Sequence, residues 1–301
     1  MKILNFGSLN IDYVYKVDHM TREGETQQSM GLETFPGGKG LNQSIAVAKA
    51  GMKVYHAGLV GEDGGMLLDT CKKSGVDTTF IKSINSKSGQ AVIQVDKNAQ
   101  NCILVHKGAN GEVDKTYVDD VLKNFKAGDM IILQNEINMM DYIINQAYEK
   151  EMIIVLNPSP LDDKLLACDF SKVSVFIMNE VEGCAIANGN NDPQKILDYM
   201  MEKYPASKVV LTLGSDGAYY RDQKQQVYQP VFKTTAVDTT AAGDTFTGYF
   251  IRGFAGEEPM NKVLEIAACA SAIAVSREGA AVSIPVYEEV KKYMKEHEIK
   301  L

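Results

Sequence analysis

Residues 129–157, DMIILQNEINMMDYIINQAYEKEMIIVLN, contain the clearest alternation of strand and helix patterns in the chain. The apolar segments 129–134 and 152–157 have the length of β-strands, and residues 139–150 between them have the period of an α-helix. Residues 152–156 are continuously apolar, which is typical of a strand that is buried on both faces. The stretch therefore predicts a strand–helix–strand unit with two parallel strands.

The same alternation recurs on both sides of this unit. Further strand-length apolar segments lie at 2–7, 53–59, 173–178 and 208–213, and further helical patterns lie at 42–50, 192–204 and 244–254. Gly51 follows the first of these helical patterns, as a glycine often follows a helix C-terminus. We therefore predict an α/β fold in which a doubly wound, mainly parallel sheet is flanked by helices.

Two regions do not fit the parallel sheet. Residues 11–18 alternate, with Ile11, Tyr13, Tyr15 and Val17 on one face, and residues 90–95 and 102–106 flank a polar turn typical of a hairpin. We predict a small accessory β-sheet that acts as a lid, formed by segments of about 11–35 and 89–107 within one domain of residues 1–301. Since a thin lid has little of its own domain to cover this apolar face, we expect a homodimer formed through the lid.

Composition excludes some classes of partner. The 301 residues include 31 Lys and Arg against 39 Asp and Glu, for a formal net charge of −8. So acidic a chain offers no basic field to hold a nucleic acid or an anionic membrane, although a local anion site remains compatible with it. No apolar run approaches the roughly 18 residues of a membrane helix, and five scattered cysteines form no disulfide or zinc pattern. We expect a reduced, cytoplasmic protein.

Residues 237–248, VDTTAAGDTFTG, combine a turn of small residues with the start of a predicted helix. Ala241, Ala242 and Gly243 let the backbone approach a ligand closely, and Asp244 stands where the helix begins. Free N–H groups and the positive end of the helix dipole would stabilise a transferring phosphate there, with Asp244 as a base. The alternative is that Asp244 only caps the helix, as an isolated Gly-Asp pair usually does.

Residues 36–43, PGGKGLNQ, form a second glycine-rich turn before a predicted helix. The turn is not a Walker loop, because Lys39 is followed by Gly40 and not by Ser or Thr. It is not the dinucleotide fingerprint either, because Gln43 stands where the third glycine should be. On its own the pattern is equally compatible with a tight loop in which Asn42 caps the next helix.

Taken together and in this order, the two motifs resemble the ribokinase family of carbohydrate kinases, in which a GGxGxN segment near the start accompanies a DTxxAGD segment near the end. The resemblance extends along nearly the whole chain, through GSLNID at 7–12, HKGAN at 106–110, LQNE at 133–136, NPSP at 157–160, NEVE at 179–182, LTLGSDG at 211–217 and REGAAVSIP at 277–285. It implies an enzyme that uses ATP, Mg²⁺ and K⁺ and transfers the γ-phosphoryl group to the primary hydroxyl of a pentose, D-ribose.

Family roles transfer to the residues that match. Asp244 matches the catalytic base, and the anion hole matches Ala241, Ala242 and Gly243. The sugar-binding positions match Asn10, Asp12, Gly38, Asn42 and Glu136, whose side chains include good partners for hydroxyls, and Lys39 would add positive charge near the acceptor. The nucleotide positions match Asn179, Glu182, Thr212, Gly214 and Gly217, with Glu182 expected to hold hydrated Mg²⁺. The monovalent-cation positions match Asp238, Thr240, Ala274, Arg277, Gly279 and Ser283, several through backbone carbonyls.

Some alternatives stay open. Residues 179–182, taken alone, indicate a plain helix start. Met66 and Asn135 depart from the family pattern, so we expect differences in the loop at 61–66 and in the sugar pocket. Another carbohydrate or nucleoside kinase of the family is possible, because the fold does not fix the acceptor. An NAD-dependent dehydrogenase is disfavoured by the missing glycine, and a non-catalytic sugar-binding protein is disfavoured by the intact Asp244.

Overall fold

The computed structural model describes residues 1–98 and 100–297. These residues form thirteen β-strands, β1 (Ile3–Phe6), β2 (Asn10–Lys16), β3 (Gly31–Gly37), β4 (Val54–Val60), β5 (Asp77–Ser83), β6 (Gly89–Val95), β7 (Asn101–His106), β8 (Met130–Gln134), β9 (Ile153–Asn157), β10 (Val175–Asn179), β11 (Lys208–Thr212), β12 (Ala218–Arg221) and β13 (Gln226–Gln229). They also form ten α-helices, α1 (Lys39–Lys49), α2 (Gly65–Lys73), α3 (Lys115–Leu122), α4 (Met140–Glu149), α5 (Asp163–Leu166), α6 (Glu180–Ile186), α7 (Pro193–Lys203), α8 (Ala242–Ala255), α9 (Met260–Val275) and α10 (Tyr287–Glu296). In this described part of the chain, no helix is long and apolar enough to cross a membrane.

The main sheet has the strand order β13-β12-β11-β10-β9-β8-β1-β4-β5. The strands from β11 to β5 are parallel to their neighbours, whereas β12 and β13 add an antiparallel edge. This sheet confirms the predicted α/β fold class, and all six apolar segments predicted as strands lie in it. Strands β5, β12 and β13 carry many half-buried or exposed residues and therefore lack the continuous apolar run that would predict them from the sequence.

Helices cover both faces of the main sheet, so each central strand has two buried sides. In β8, Met130 and Ile132 point into the core formed with α1, α8 and α9. Ile131 and Leu133 of the same strand point into the opposite core, formed with α3, α4 and α7. All four side chains are fully buried, which explains the continuous apolar pattern of such strands.

A second sheet, called the lid sheet below, has the strand order β3-β2-β6-β7. Strand β2 pairs in parallel with β6, so that Asn10 lies opposite Gly89 and Lys16 opposite Val95. Strands β6 and β7 form the predicted hairpin, and β3 pairs with β2 on the other side. The accessory sheet expected from the sequence is therefore present, with strands from both predicted segments.

The expectation that the face of Ile11, Tyr13, Tyr15 and Val17 is uncovered is wrong in part. Ile11 is 4% exposed and Val17 is 3% exposed, and Tyr13 packs against the core of the main domain. The exposed apolar residues lie further out on the same face. The strand register aligns Tyr13 with Val92 and Val92 with Leu104, and Leu104 is 71% exposed.

Candidate active site

Asp244 lies in the first turn of α8, which begins at Ala242 and has Ala241 as its N-cap residue. The interpretation of Asp244 as the helix cap is therefore wrong. Its carboxylate is buried and accepts hydrogen bonds from the side-chain amides of Asn42 and Gln43, at 3.1 and 2.9 Å. The Ala242 N–H donates to the carbonyl of Thr239 at 3.2 Å. None of the described side chains caps the N–H groups of Gly243 and Asp244 at the start of α8, so these two groups can stabilise an anion.

Lys39 is the cation at the centre of the site. Burial raises the pKa of Asp244, while Lys39 and the two amides oppose that rise. Burial would lower the pKa of Lys39, but the fields of Asp244, Glu136 and Glu182 outweigh burial and raise this pKa. Three carboxylates from three different parts of the chain therefore act on one ammonium group.

The glycine-rich turn at residues 36–43 leads into α1 against the ends of β1 and β8. The helix begins at Lys39 with Gly38 as its N-cap residue at φ 92°, a conformation that favours glycine. Asn42 lies in the first helical turn, so the interpretation of Asn42 as the cap is wrong. The N–H of Lys39 donates to the Glu136 carboxylate at 2.9 Å, and the Ser8 hydroxyl donates to the same oxygen.

Asn10 and Asp12 bring polar groups from the lid sheet toward this corner. Asn10 is buried, and its Oδ1 accepts from Nδ2 of Asn110 at 2.7 Å. Burial and the nearby Glu136 raise the pKa of Asp12 to about 7. A Cβ at Gly37 would lie 2.0 Å from an Asp12 carboxylate oxygen, so a side chain at this position would displace the Asp12 carboxylate. The predicted sugar-side residues thus form one connected cluster that reaches Asp244.

A pocket opens on the other side of Asp244. Seven of the residues that line it were predicted from the sequence: Lys39, Asn179, Glu182, Thr212, Thr240, Gly243 and Asp244. Gly214 and Gly217 lie in the turn between β11 and β12 and are outside this lining. The structure therefore brings the predicted base together with most of the predicted nucleotide side.

Asn179 and Glu182 form a capping box at the start of α6. The Glu182 N–H donates to the Asn179 side chain at 2.9 Å, and the Asn179 N–H donates to the Glu182 carboxylate at 3.0 Å. The helix-start interpretation of this segment is therefore confirmed. Because both residues also line the pocket, the cap holds an acidic side chain at its wall.

Asp238 connects the loop before α8 with the loop after α9. One carboxylate oxygen accepts from the N–H of Thr240 at 2.9 Å, and the other accepts from the N–H of Gly279 at 3.0 Å. The N–H of Asp238 donates to the carbonyl of Val275 at 3.2 Å. Three of the predicted cation residues and the end of α9 thus meet behind the turn that precedes Asp244.

The other three predicted cation residues, Ala274, Arg277 and Ser283, make the following contacts with groups other than Asp238. The carbonyl of Ala274 accepts from the N–H of Arg277 at 3.1 Å. The guanidinium of Arg277 turns away to Glu289, at 3.2 Å. Ser283 is buried, and its hydroxyl donates to the carbonyl of Ala280 at 2.8 Å. Only the backbone of Arg277 is therefore available to this cluster.

The two departures from the family pattern have local explanations. The Asn135 side chain donates to the carbonyl of Pro160 at 2.7 Å, and its N–H donates to the carbonyl of Ser159 at 3.1 Å. Asn135 thus holds the loop after β9. Met66 lies in the first turn of α2 and packs against the core.

Four polar residues in or beside the site had no assigned role: Ser8, Gln43, Asn110 and Asn157. All four occur in motif strings noted in the sequence, and that was their only signal. Their contacts join residues between 32 and 201 positions apart, so no local spacing could have revealed them.

A buried carboxylate at a free helix N-terminus, flanked by a cluster of hydrogen-bonding groups and a polar pocket, suits phosphoryl transfer to a small hydroxyl compound. The fold and the site together define a phosphotransferase of the small-molecule kinase class. The chain belongs to the pfkB family of carbohydrate kinases, whose family model matches residues 1–286.

Individual relatives match over nearly their full length. A ribokinase of Schizosaccharomyces pombe is 35% identical, and the alignment covers 96% of each chain. The structure of ribokinase from Thermotoga maritima is 33% identical, with a TM-score of 0.87 over 98% of this chain and 99% of that one. The structure of Arabidopsis thaliana ribokinase complexed with ribose and ATP is 25% identical, with a TM-score of 0.85 over 98% of each chain.

Proposed function

We propose that this chain transfers the γ-phosphoryl group of ATP to the primary hydroxyl of D-ribose. The observation that carries the proposal is the buried Asp244 carboxylate, which lies at the uncapped start of α8 between the sugar-side cluster and the pocket. The similarity to ribokinases, one of them complexed with ribose and ATP, supports ribose as acceptor and ATP as donor.

The sugar would bind in the cluster formed by Asn10, Asp12, Gly38, Asn42 and Glu136. Among the described residues, Oδ1 of Asn42 is a buried acceptor without a hydrogen-bond partner. A buried acceptor of this kind is expected to have a partner in the working state, and a sugar hydroxyl supplies the required donor. The other amide end of Asn42 holds Asp244, so one side chain would contact both the sugar and the base.

Asp244 would accept the proton of the primary hydroxyl as that oxygen attacks the γ-phosphorus, while the bond from the γ-phosphorus to the bridging oxygen breaks and ADP leaves. The turn of Ala241, Ala242 and Gly243 would present backbone N–H groups to the charge that develops on the transferring group. Lys39 would add positive charge on the same side, because it lines the pocket with Asp244. The lid sheet would exclude water, since water in an open site would compete with the sugar for the phosphoryl group.

The nucleotide would occupy the pocket side of Asp244, beside Asn179, Glu182 and Thr212, with Gly214 and Gly217 shaping the turn further out. Bound Mg²⁺ neutralises charge on the β- and γ-phosphates. Glu182 fits the metal because it supplies a carboxylate at the pocket wall. Within residues 1–98 and 100–297, no three His, Cys, Asp or Glu side chains gather around a metal position. Glu182 would therefore bind water of the hydrated metal.

A monovalent cation, K⁺, would bind around Asp238 and Thr240, with carbonyls of Ala274, Arg277 and Gly279 and with Ser283. All of these groups offer oxygen, which a hard cation requires. The contacts of Asp238 with Thr240 and Gly279 support this position. A cation there would stiffen the loop that leads into the anion-hole turn.

We also propose that the chain works as a cytoplasmic homodimer joined through the lid sheet. Leu32, Val92 and Leu104 are 51%, 37% and 71% exposed, and the register places them on the face of Tyr13 and Tyr15. A second copy of this apolar face would cover it. We propose a single domain over residues 1–301, with lid segments at about 11–35 and 89–107 within it.

The central test replaces Asp244 with Asn, which keeps the size of the side chain and removes the base. We expect kcat to fall by about 10²–10⁴, while ATP and ribose still bind. Asp192→Asn is the matched control, because Asp192 caps α7 through its side chain and Asn caps equally well. Turnover near the wild-type value in Asp244→Asn would show that Asp244 is not the base.

The acceptor is tested by kcat/KM for D-ribose beside 2-deoxyribose, fructose, adenosine and pseudouridine under one set of conditions. We expect ribose to be preferred, because buried polar groups left unpaired by a missing hydroxyl cost about 1–3 kcal/mol each. If another compound exceeds ribose, the chain is a carbohydrate or nucleoside kinase of the family with a different acceptor.

A further inference from the structure

Gln43 lies behind the proposed base and is fully buried. Its Nε2 donates to Asp244 Oδ1 at 2.9 Å and to Asn157 Oδ1 at 3.2 Å. Its Oε1 accepts from Nε2 of Gln134 at 2.6 Å. Every polar atom of this amide is therefore used, and one bond reaches the oxygen of Asp244 that Asn42 does not hold.

The hydrogen bonds continue away from the base into the main sheet. Gln134 on β8 also donates to Oδ1 of Asn5 on β1, at 3.1 Å. Asn5 in turn donates to the carbonyl of Gly40 in the first turn of α1, at 2.8 Å. Asn157 on β9 donates to the carbonyl of Ile177 on β10, at 2.8 Å. Four adjacent strands and α1 thus carry one connected set of amides, called the amide chain below.

The carboxylate of Asp244, at one end of the amide chain, determines which way the side-chain amides of Gln43 and Gln134 are oriented. An ionised carboxylate only accepts hydrogen bonds, so the NH₂ group of Gln43 must face Asp244 and its oxygen must face Gln134. Gln134 must then present its own NH₂ group to both Gln43 and Asn5. A single orientation satisfies these donors, and the low dielectric of a buried site strengthens each bond.

We propose that Gln43 is the positioning residue of the base: the amide chain holds its NH₂ group against Oδ1 of Asp244 and fixes the plane of that carboxylate toward the acceptor hydroxyl. This inference rests on the proposed role of Asp244. Asn42 and Gln43 are neighbours on α1 and reach the two oxygens of one carboxylate. Asn42 keeps a free oxygen for the ligand, whereas Gln43 has none and is anchored to the sheet.

Several charged groups near Asp244 also affect its titration, and a test of Gln43 must leave them unchanged. Lys39 on α1 lowers the pKa of Asp244, and Glu182 on α6 lines the same pocket. Glu136 acts on Lys39 from the sugar side. A change at Gln43 alters none of these charges, so a shift in the titration of Asp244 would report the lost hydrogen bond itself.

The experiment measures kcat against pH at saturating ribose and ATP for wild type, Gln43→Met, Gln43→Glu and Ser44→Ala. Gln43→Met keeps the length of the side chain and removes the donor. We expect its acid limb to move up by about one pH unit, with kcat reduced about tenfold at pH values below the midpoint of the wild-type acid limb and KM for ATP within about twofold. Gln43→Glu places a second carboxylate against Asp244, so we expect a larger upward shift.

Ser44→Ala is the matched control. Ser44 is the next residue on α1, is equally buried, and makes its hydrogen bond with His56 at 2.7 Å, away from Asp244. Its acid limb should coincide with wild type. If Gln43→Met is folded and its acid limb matches that of Ser44→Ala, Gln43 does not position the base. If Gln43→Met does not fold, the neutral variant Gln43→Asn decides by the same criterion, because it shortens the side chain by one methylene and withdraws the donor from Asp244 without adding a charge.

Failure of this inference is distinguishable from failure of the proposed function. Full activity in Asp244→Asn would show that Asp244 is not the base, whatever the result for the Gln43 variants. If Asp244→Asn loses activity and the acid limb is unmoved in both Gln43 variants, Gln43 does not position the base, and the proposed function still stands.

Discussion

Replacing Asp12 with Asn should stabilise the sugar-free protein above pH 7 and weaken sugar binding at the same pH. Burial and the nearby Glu136 raise the pKa of Asp12 to about 7, from 3.8 for an unperturbed carboxyl. Between these two values the folded protein holds a proton that the unfolded chain has lost, so stability falls as the pH rises through this window. Below about pH 4 both states are protonated and no destabilisation remains.

The magnitude follows from the size of the shift. At about 1.4 kcal/mol for each pH unit, a shift of roughly three units destabilises the folded protein at pH 8 by at most about 4 kcal/mol. Solvent around the partly exposed Asp12 reduces this value, and about 2 kcal/mol is a reasonable expectation. Asp12→Asn removes the charge, so the melting temperature should rise by several degrees at pH 8 and by less at pH 5.

Melting temperatures at pH 5 and pH 8, without sugar, test this prediction directly. Glu33→Gln is the control, because Glu33 is an exposed carboxylate on the neighbouring strand β3 that pairs with Lys16 at 3.1 Å, and such pairs contribute little. Ribose titrations in two buffers of different ionisation enthalpy should show proton release near pH 7, since hydroxyl donors favour the ionised carboxylate. A melting temperature at pH 8 that falls in Asp12→Asn would refute the reasoning.

Three further predictions follow from the site and the lid sheet. Activity in K⁺ should exceed activity in tetramethylammonium, because bound K⁺ would order the loop at Asp238. Equal kcat in both salts would contradict the cation site. Light scattering at micromolar concentration should give the mass of two chains for wild type and of one chain for Leu104→Lys. A single-chain mass for wild type would contradict the proposed dimer. Gly37→Ala should raise the KM for ribose about tenfold or more, since the added Cβ would lie 2.0 Å from the Asp12 carboxylate. Gly31→Ala on the same strand, where the nearest atom would be Cδ of Lys16 at 3.9 Å, should leave this KM unchanged.

The sequence was sufficient for the fold class because the central strands carry their signal locally. Residues 130–134 are buried on both faces, so every position is apolar except Gln134 at the end of the strand, which is polar and hydrogen-bonded. The edge strands β12 and β13 lack this signal, since six of their eight residues are exposed or only partly buried. The starts of α1 and α8 were placed three and two residues late, because the glycine and alanine residues near these starts carry no distinctive helical pattern.

The site was predictable only where motifs are contiguous. Asp244 and its turn form one string, whose small residues and helix start indicate an anion site by themselves. The sugar-binding roles expected of Asn10 and Asp12 came from the resemblance to the family. Gln43 was within a quoted motif, yet its role depends on Asp244, which lies 201 positions away. The uncovered lid face was misjudged for the same reason, because the core that covers Ile11 comes from distant parts of the chain.

The central ladder of the lid sheet joins strands that are far apart in sequence, since β2 pairs with β6 along its whole length. Neither segment makes a sheet of three strands by itself, and isolated hairpins are marginally stable at best. The lid sheet should therefore assemble only after the main sheet has brought β2 and β6 together, and so late in folding. For protein engineering, it cannot be grafted or deleted as one continuous insert, and any chimera must exchange both segments at once.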